Sequence, residues 1–139
     1  MAAAAVGTLG FTSKSALAAD EHKHGDSCAD ECAKCAIVCS ECFAGCTKAA
    51  ALGTEEAADC ASRCLDCSEI CSLCARICAR DGAFSAEICE ACAEACEKCA
   101  GHCESCCKDK KTCDHCAACA EQCKKCAKAC RDYLAKLKK

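Results

Sequence analysis

The stretch "CASRCLDCSEICSLCARIC", Cys60–Cys78, sets cysteines at alternating steps of four and three residues. At about 100° per residue those steps hold every sulfur on one helical face, as in the heptad seam along which helices pack. The rhythm recurs in Cys28, Cys32, Cys35, Cys39, Cys42 and Cys46. It returns in Cys89, Cys92, Cys96, Cys99, Cys103, Cys106 and Cys107, and again in Cys113, Cys116, Cys119, Cys123, Cys126 and Cys130, with Cys113 somewhat off line. Four helices, each with one sulfur stripe to hide, predict a common axis on which the stripes converge.

The rest of the composition agrees. A chain of 139 residues is long enough for one compact core and short for two. It holds 25 cysteines but no Trp, one Tyr and three Phe, so sulfur has to supply much of the interior. With no proline and plentiful Ala, Glu, Lys and Leu, long helices are favoured over the loops of disulfide-knotted domains. A net charge of −3 with interspersed signs gives no basic face for nucleic acid.

Punctuation divides the chain into residues 1–26 and a helical domain over 27–139. Ser27 is placed to cap the first helix, and Gly53 follows its end near Leu52. Thr54 is expected to cap the second, with Glu55 and Glu56 against its dipole, and that helix ends near Asp81-Gly82. Ser85 begins the third, and Lys108–Lys111 form a polar turn before Thr112 caps the fourth. Short links between segments of matched length predict an all-α, up-down-up-down antiparallel four-helix bundle with a cysteine-lined core. The first segment, with Ala16 and Ala18 in an A-x-A arrangement, is similar to the back half of an export signal; a flexible tail is the alternative. Export to a periplasmic location follows from the first reading, a cytoplasmic one from the second. The apolar run is too short to span a membrane.

Why cysteine? Ala, Val or Leu would fill a seam with less oxidative risk, so packing alone does not explain the choice. Disulfides within a helix are disfavoured, because residues three or four apart hold their Cβ atoms about 5–6 Å apart where a disulfide wants about 3.5–4.5 Å. A thiol oxidoreductase needs one activated thiol, and no C-x-x-C here is singled out from the others. Metal binding explains both spacing and number: a C-x-x-x-C pair offers two sulfurs one turn apart to a soft ion, and C-x-x-C steps link one pair to the next. Thiolates suit Cu(I), Zn(II) and iron–sulfur clusters. Cu(I) with about one thiolate per ion leaves the interior neutral, whereas a four-thiolate zinc site carries excess negative charge that no Lys or Arg in the stripes offsets. The expectation is many Cu(I) ions per chain, on the order of 20–25, held without catalysis for storage or sequestration. A zinc- or cadmium-thiolate protein and a disulfide-bonded or thiol-redox bundle are the alternatives.

These ladders, above all "CAACAEQCKKCAKACRDY" in the last helix, resemble the cysteine-rich four-helix-bundle copper storage proteins of bacteria over about residues 27–137. The resemblance implies Cu(I) held by core cysteines, helped by His or Met near an open end, and assembly into a homo-oligomer. The chain departs from that pattern in its fuller ladder and in having no Met beyond Met1.

Topology gathers the end of the first helix, the start of the second, the end of the third and the start of the fourth. His102 and His115 both fall there, at the edges of their stripes, and mark the expected copper entrance and additional ligands. Phe84, Ile88, Tyr133, Leu134 and Leu137 are expected to plug the other end. Ile70, Leu73 and Ile77 form a second stripe on the second helix, for packing against a neighbour or for a subunit contact. His22 and His24 lie in the polar segment before the bundle.

Overall fold

The computed structural model describes residues 27–106 and 113–139. They form α1 (Cys28–Ala51), α2 (Glu55–Cys78), α3 (Ser85–Cys106) and α4 (Cys113–Leu137), with no strand among the described residues. Each helix packs on two neighbours, α1 and α3 both lying between α2 and α4, so α1 faces α3 and α2 faces α4 diagonally across the axis. This is the expected antiparallel bundle. The expected turn at Lys108–Lys111, the Thr112 cap, Cys107, and the segment holding His22 and His24 lie outside the described residues.

Local chemistry sets the helix ends. Asp30 N–H donates to Ser27 Oγ at 3.1 Å, and Asp30 and Glu31 stand in the positively polarised first turn of α1. At its other end Gly53 takes φ 93°, while Gly53 N–H donates to Ala50 O and Thr54 N–H to Ala49 O. That pair of bonds is a Schellman motif, which satisfies carbonyls the helix leaves open. The end of α2 repeats it with Asp81 as the left-handed residue at φ 49°: Gly82 N–H donates to Ile77 O and Asp81 N–H to Cys78 O. Gly82 is needed there for space, since a Cβ would stand 2.9 Å from Ile77 Cγ2. Thr54 occupies the N-cap position of α2, but its side chain makes no capping bond. The Thr54 backbone is already committed to closing α1, which leaves its hydroxyl out of line with the α2 amides.

Sulfur fills the centre, and small residues draw the helices together in pairs. A residue directly after a core cysteine, one step around the helix, forms a ridge: Ala61 and Ser68 on α2, Ala93 and Ala100 on α3, Ala120 and Ala127 on α4, all buried. On α1 the same ridge places Ala36 against α2, where Ser68 Oγ donates to Ala36 O at 2.8 Å. Ser40 Oγ also reaches Ala36 O at 2.9 Å, and the two hydroxyls lie 2.7 Å apart. Ala100 and Ala127 border the corresponding α3–α4 groove. Without bulk at these positions the backbones of α1 and α2, and of α3 and α4, approach closely, and the molecule becomes two tight hairpins with sulfur between them.

The expected apolar plug forms only in part. Ile88, Tyr133 and Leu134 pack half-buried against the core, whereas Phe84 is 68% and Leu137 54% exposed. At that end Cys78 and Cys89 already stand 3.4 Å apart and Cys28 lies 3.5 Å from both Cys89 and Cys130, so no room remains for an aromatic ring. On α2, Ile70 packs half-buried against the core and Ile77 covers Gly82, while Leu73 faces outward.

One polar cluster ties α1 to α4. Buried Glu31 receives Lys34 Nζ on Oε1 and Gln122 Nε2 on Oε2, each at 2.7 Å. The bond from Lys34 holds the Glu31 carboxyl below its ordinary value of 4.5. A depressed carboxylate stabilises the fold above its unfolded pKa and loses that contribution as pH falls through the lower folded value. Glu31→Gln is therefore expected to lower the denaturation midpoint of the metal-free protein at pH 7. The gap between the two proteins should close on acidification below the ordinary glutamate range, as read by urea melts at several pH values.

Candidate metal centre

Every cysteine whose side chain is described is a free thiol, and all of these except Cys106 are buried. Within α1 the C-x-x-x-C partners Cys28–Cys32, Cys35–Cys39 and Cys42–Cys46 hold their sulfurs 3.9, 3.8 and 3.9 Å apart. Cys67–Cys71 and Cys74–Cys78 on α2 stand at 3.9 Å, and Cys119–Cys123 on α4 at 4.0 Å. With the thiolate–zinc distance of about 2.3 Å as a gauge, two sulfurs on opposite sides of an ion lie about 4.6 Å apart. Rotamer adjustments well under a turn of chain would therefore admit an ion between them.

The sulfurs also meet across the axis, overwhelmingly from one hairpin to the other. Cys35 lies 3.8 Å from Cys96 and 3.7 Å from Cys123, Cys71 lies 3.4 Å from Cys96, and Cys64 lies 3.6 Å from Cys103. Cys92 and Cys126, at 3.9 Å, meet inside one hairpin. Groups of four sulfurs recur along the tube, each with all its ligand atoms within 4.8 Å of one another: Cys28, Cys74, Cys78 and Cys89 at one end, then Cys32, Cys92, Cys126 and Cys130, then Cys35, Cys39, Cys67 and Cys123. Single cysteines belong to more than one group, Cys28 and Cys35 among them. A shared sulfur can bridge neighbouring ions, so the array is continuous.

Protonation follows from burial and contact. Burial pushes the Cys46 thiol up to about 11 and also raises Cys78. Deeper in the tube, the contact with Cys126 holds Cys92 low while the contact with Cys123 pushes Cys96 up. Neighbouring sulfurs thus divide into acceptors and donors, and the array titrates as a coupled unit. An isolated thiolate in this dry interior is costly, whereas a monovalent soft cation that replaces a proton leaves the charge unchanged.

The two histidines differ. His115 Nε2 lies 3.6 Å from Cys46 Sγ, and Cys46 lies 3.6 Å from Cys116, so His115 joins the sulfur array at the end where it was expected. His102 turns away: its buried Nε2 sits 3.1 Å from Asp59 Oδ2, out of line for a hydrogen bond, and Arg63 Nε also stands 3.1 Å from that oxygen. Cys106, half-buried, directs its sulfur to Glu56 O at 3.8 Å. The side chain of Cys113 lies outside what is described.

Gly45 is a contributor that the sulfur pattern alone did not flag. A Cβ there would stand 2.8 Å from the His115 ring, so the glycine makes the space into which the imidazole fits beside Cys46. The Ala/Ser ridge was likewise not read from the sequence, although a small residue following alternate cysteines is its signal. Gly45→Ala is expected to displace the His115 ring while retaining helix content, seen as a shift of the His115 ring resonances with an unchanged far-ultraviolet spectrum.

Comparison with known proteins agrees with this geometry. Residues 18–135 match the family model described as "Csp: Copper storage protein". The solved structure of "Cu(I)-bound Copper Storage Protein BsCsp3" is 33% identical, covering 76% of this chain and 92% of that one with a TM-score of 0.64. The metal-free copper storage protein 3 from Bacillus subtilis is also 33% identical, covering 77% and 95% with a TM-score of 0.66. A search of curated proteins finds no match. With the cysteine tube, the bundle that builds it and a family match over most of its length, the chain belongs to the copper storage protein family.

Proposed function

We propose that the chain stores Cu(I) in bulk along the bundle axis, in the domain spanning residues 27–139, with cysteine thiolates as the ligands. The observation that carries this reading is the continuity of the sulfur array: four-sulfur groups overlap through shared cysteines from Cys28 to Cys39 and Cys123, and sulfur contacts of 3.6–3.9 Å continue through Cys119, Cys64, Cys103 and Cys60 to Cys116, with no buried cation among the described residues to balance bound charge. Ions of charge +1 at about one per thiolate keep such a tube neutral, which divalent zinc in four-thiolate sites does not.

Residues along the ladder serve as ligands by position, Cys107 and Cys113 by their place in the sequence rhythm and Cys106 at the end where His115 stands. His115 adds a nitrogen donor at that mouth and receives incoming ions, and His102, held against Asp59, lines its approach. Among the described residues the sulfur array singles out no lone nucleophile, which supports storage without turnover. A homo-oligomer is consistent with Ile37, Leu65 and Leu73, each more than a third exposed on the α1–α2 hairpin. The described residues include no helix long and apolar enough to cross a membrane, and a periplasmic location rests on the signal-like start alone.

Oxygen-free titration of the reduced protein with Cu(I), against a competing chelator, is expected to show about 20–25 tightly held equivalents. About one proton should leave per ion bound, so uptake weakens as pH falls. Saturation after one or two equivalents would contradict storage and favour the disulfide or redox reading. Preferential uptake of Zn(II) at one ion per four sulfurs would favour the zinc reading.

A further inference from the structure

The end of the bundle opposite His115 brings the array close to a groove. Cys28 and Cys78 are each 8% exposed, whereas Cys46, Cys60, Cys103 and Cys116 near the His115 end are fully buried at 0%. Cys28 opens into a groove of about 430 Å³ between the start of α1 and the last turns of α4, bordered by Glu31, Lys125, Lys128, Tyr133 and Lys136. Its volume lies within the range that holds a small ligand.

The charge of this groove is specific. Both Glu31 oxygens are engaged, by Lys34 and Gln122, and Asp132 is engaged by Lys128 at 2.5 Å. Lys125 pairs outward with Glu121, while Lys136 makes no ion pair among the described residues. With the other lysines paired, the groove carries one surplus positive charge, on Lys136, beside Cys28. Cys28 stands near the end of the array and joins two of its groups, one with Cys32, Cys74 and Cys130 and one with Cys74, Cys78 and Cys89.

We infer that this groove is an exchange port, where a small anionic thiol docks at Lys136, beside the Lys128–Asp132 pair, and withdraws Cu(I) through Cys28. The inference rests on the storage reading. A soft ion leaves a thiolate site readily only to another soft donor, which makes the incoming ligand a thiol. The unpaired Lys136 selects a carboxylate-bearing one. In the exchange the incoming thiol forms a sulfur–copper bond as the bond from Cys28 to that copper breaks, and a second thiol molecule replaces the copper's other cysteine in the same way, returning its own proton to that sulfur, so that copper leaves as a bis-thiolate complex. The proton of the first thiol passes to Cys28 Sγ. Copper stays Cu(I), so no oxidant or reductant takes part, and the two bridged groups behind Cys28 can refill it from within.

The test uses the full chain loaded with Cu(I) under oxygen-free conditions, in wild-type form and as the variant Lys136→Gln, with copper capacity measured first. Initial rates of copper transfer are then followed to mercaptosuccinate, which is anionic, and to 2-mercaptoethanol, which is neutral. The variant is expected to load normally and to transfer to mercaptosuccinate roughly tenfold more slowly, the scale of electrostatic guidance into a charged cleft. Transfer to 2-mercaptoethanol should stay within about twofold. Equal rates for both proteins with mercaptosuccinate, or an equal slowing with both thiols, would overturn the port while leaving storage intact. Failure of the wild type to load overturns the storage reading and the port with it.

Discussion

Thiols packed 3.4–4.0 Å from one another along the bundle axis serve as both hydrophobic core and ligand array, and every other feature of the molecule accommodates that double use. A thiol is small and nearly apolar while protonated, so it can be buried without a partner. Once deprotonated it needs a cation at once, because charge in this interior has no water to screen it. Monovalent soft ions resolve the conflict, exchanging with protons one for one so that the tube never becomes strongly charged.

A core of sulfur is thin, and the fold compensates at the helix contacts. The ridges of Ala36, Ala61, Ser68, Ala100 and Ala127 bring helices together within each hairpin, where close backbone packing and the Ser68 hydroxyl to Ala36 O replace the bulk of Leu and Phe. The sulfurs lie chiefly between hairpins. Ions entering the tube therefore join two preformed halves, and binding free energy adds directly to the stability of the loaded state. Surface pairs such as Arg131–Glu97 between α4 and α3, exposed on both sides, contribute little by comparison.

The axial half of this arrangement was legible from spacing alone. The three-four rhythm fixed which face of each helix turns inward, and turn chemistry at Gly53 and Asp81-Gly82 located the corners. Contacts between elements were less visible. His102 and His115 have the same relation to their stripes in sequence, yet only His115 reaches sulfur, because Gly45 on another helix leaves it space and Asp59 draws His102 away. Phe84 looked like a plug because apolar residues usually cover an open end. It stays outside because the sulfurs there already touch, a packing limit that one chain segment cannot reveal.

Copper K-edge X-ray absorption on the fully loaded, oxygen-free protein tests the sulfur-tube account most directly. It predicts Cu(I) in low coordination with a first shell of sulfur alone, apart from a minor nitrogen contribution from His115, and nearby copper neighbours from shared thiolates. A first shell dominated by nitrogen or oxygen, or isolated coppers with no metal neighbour, would contradict it.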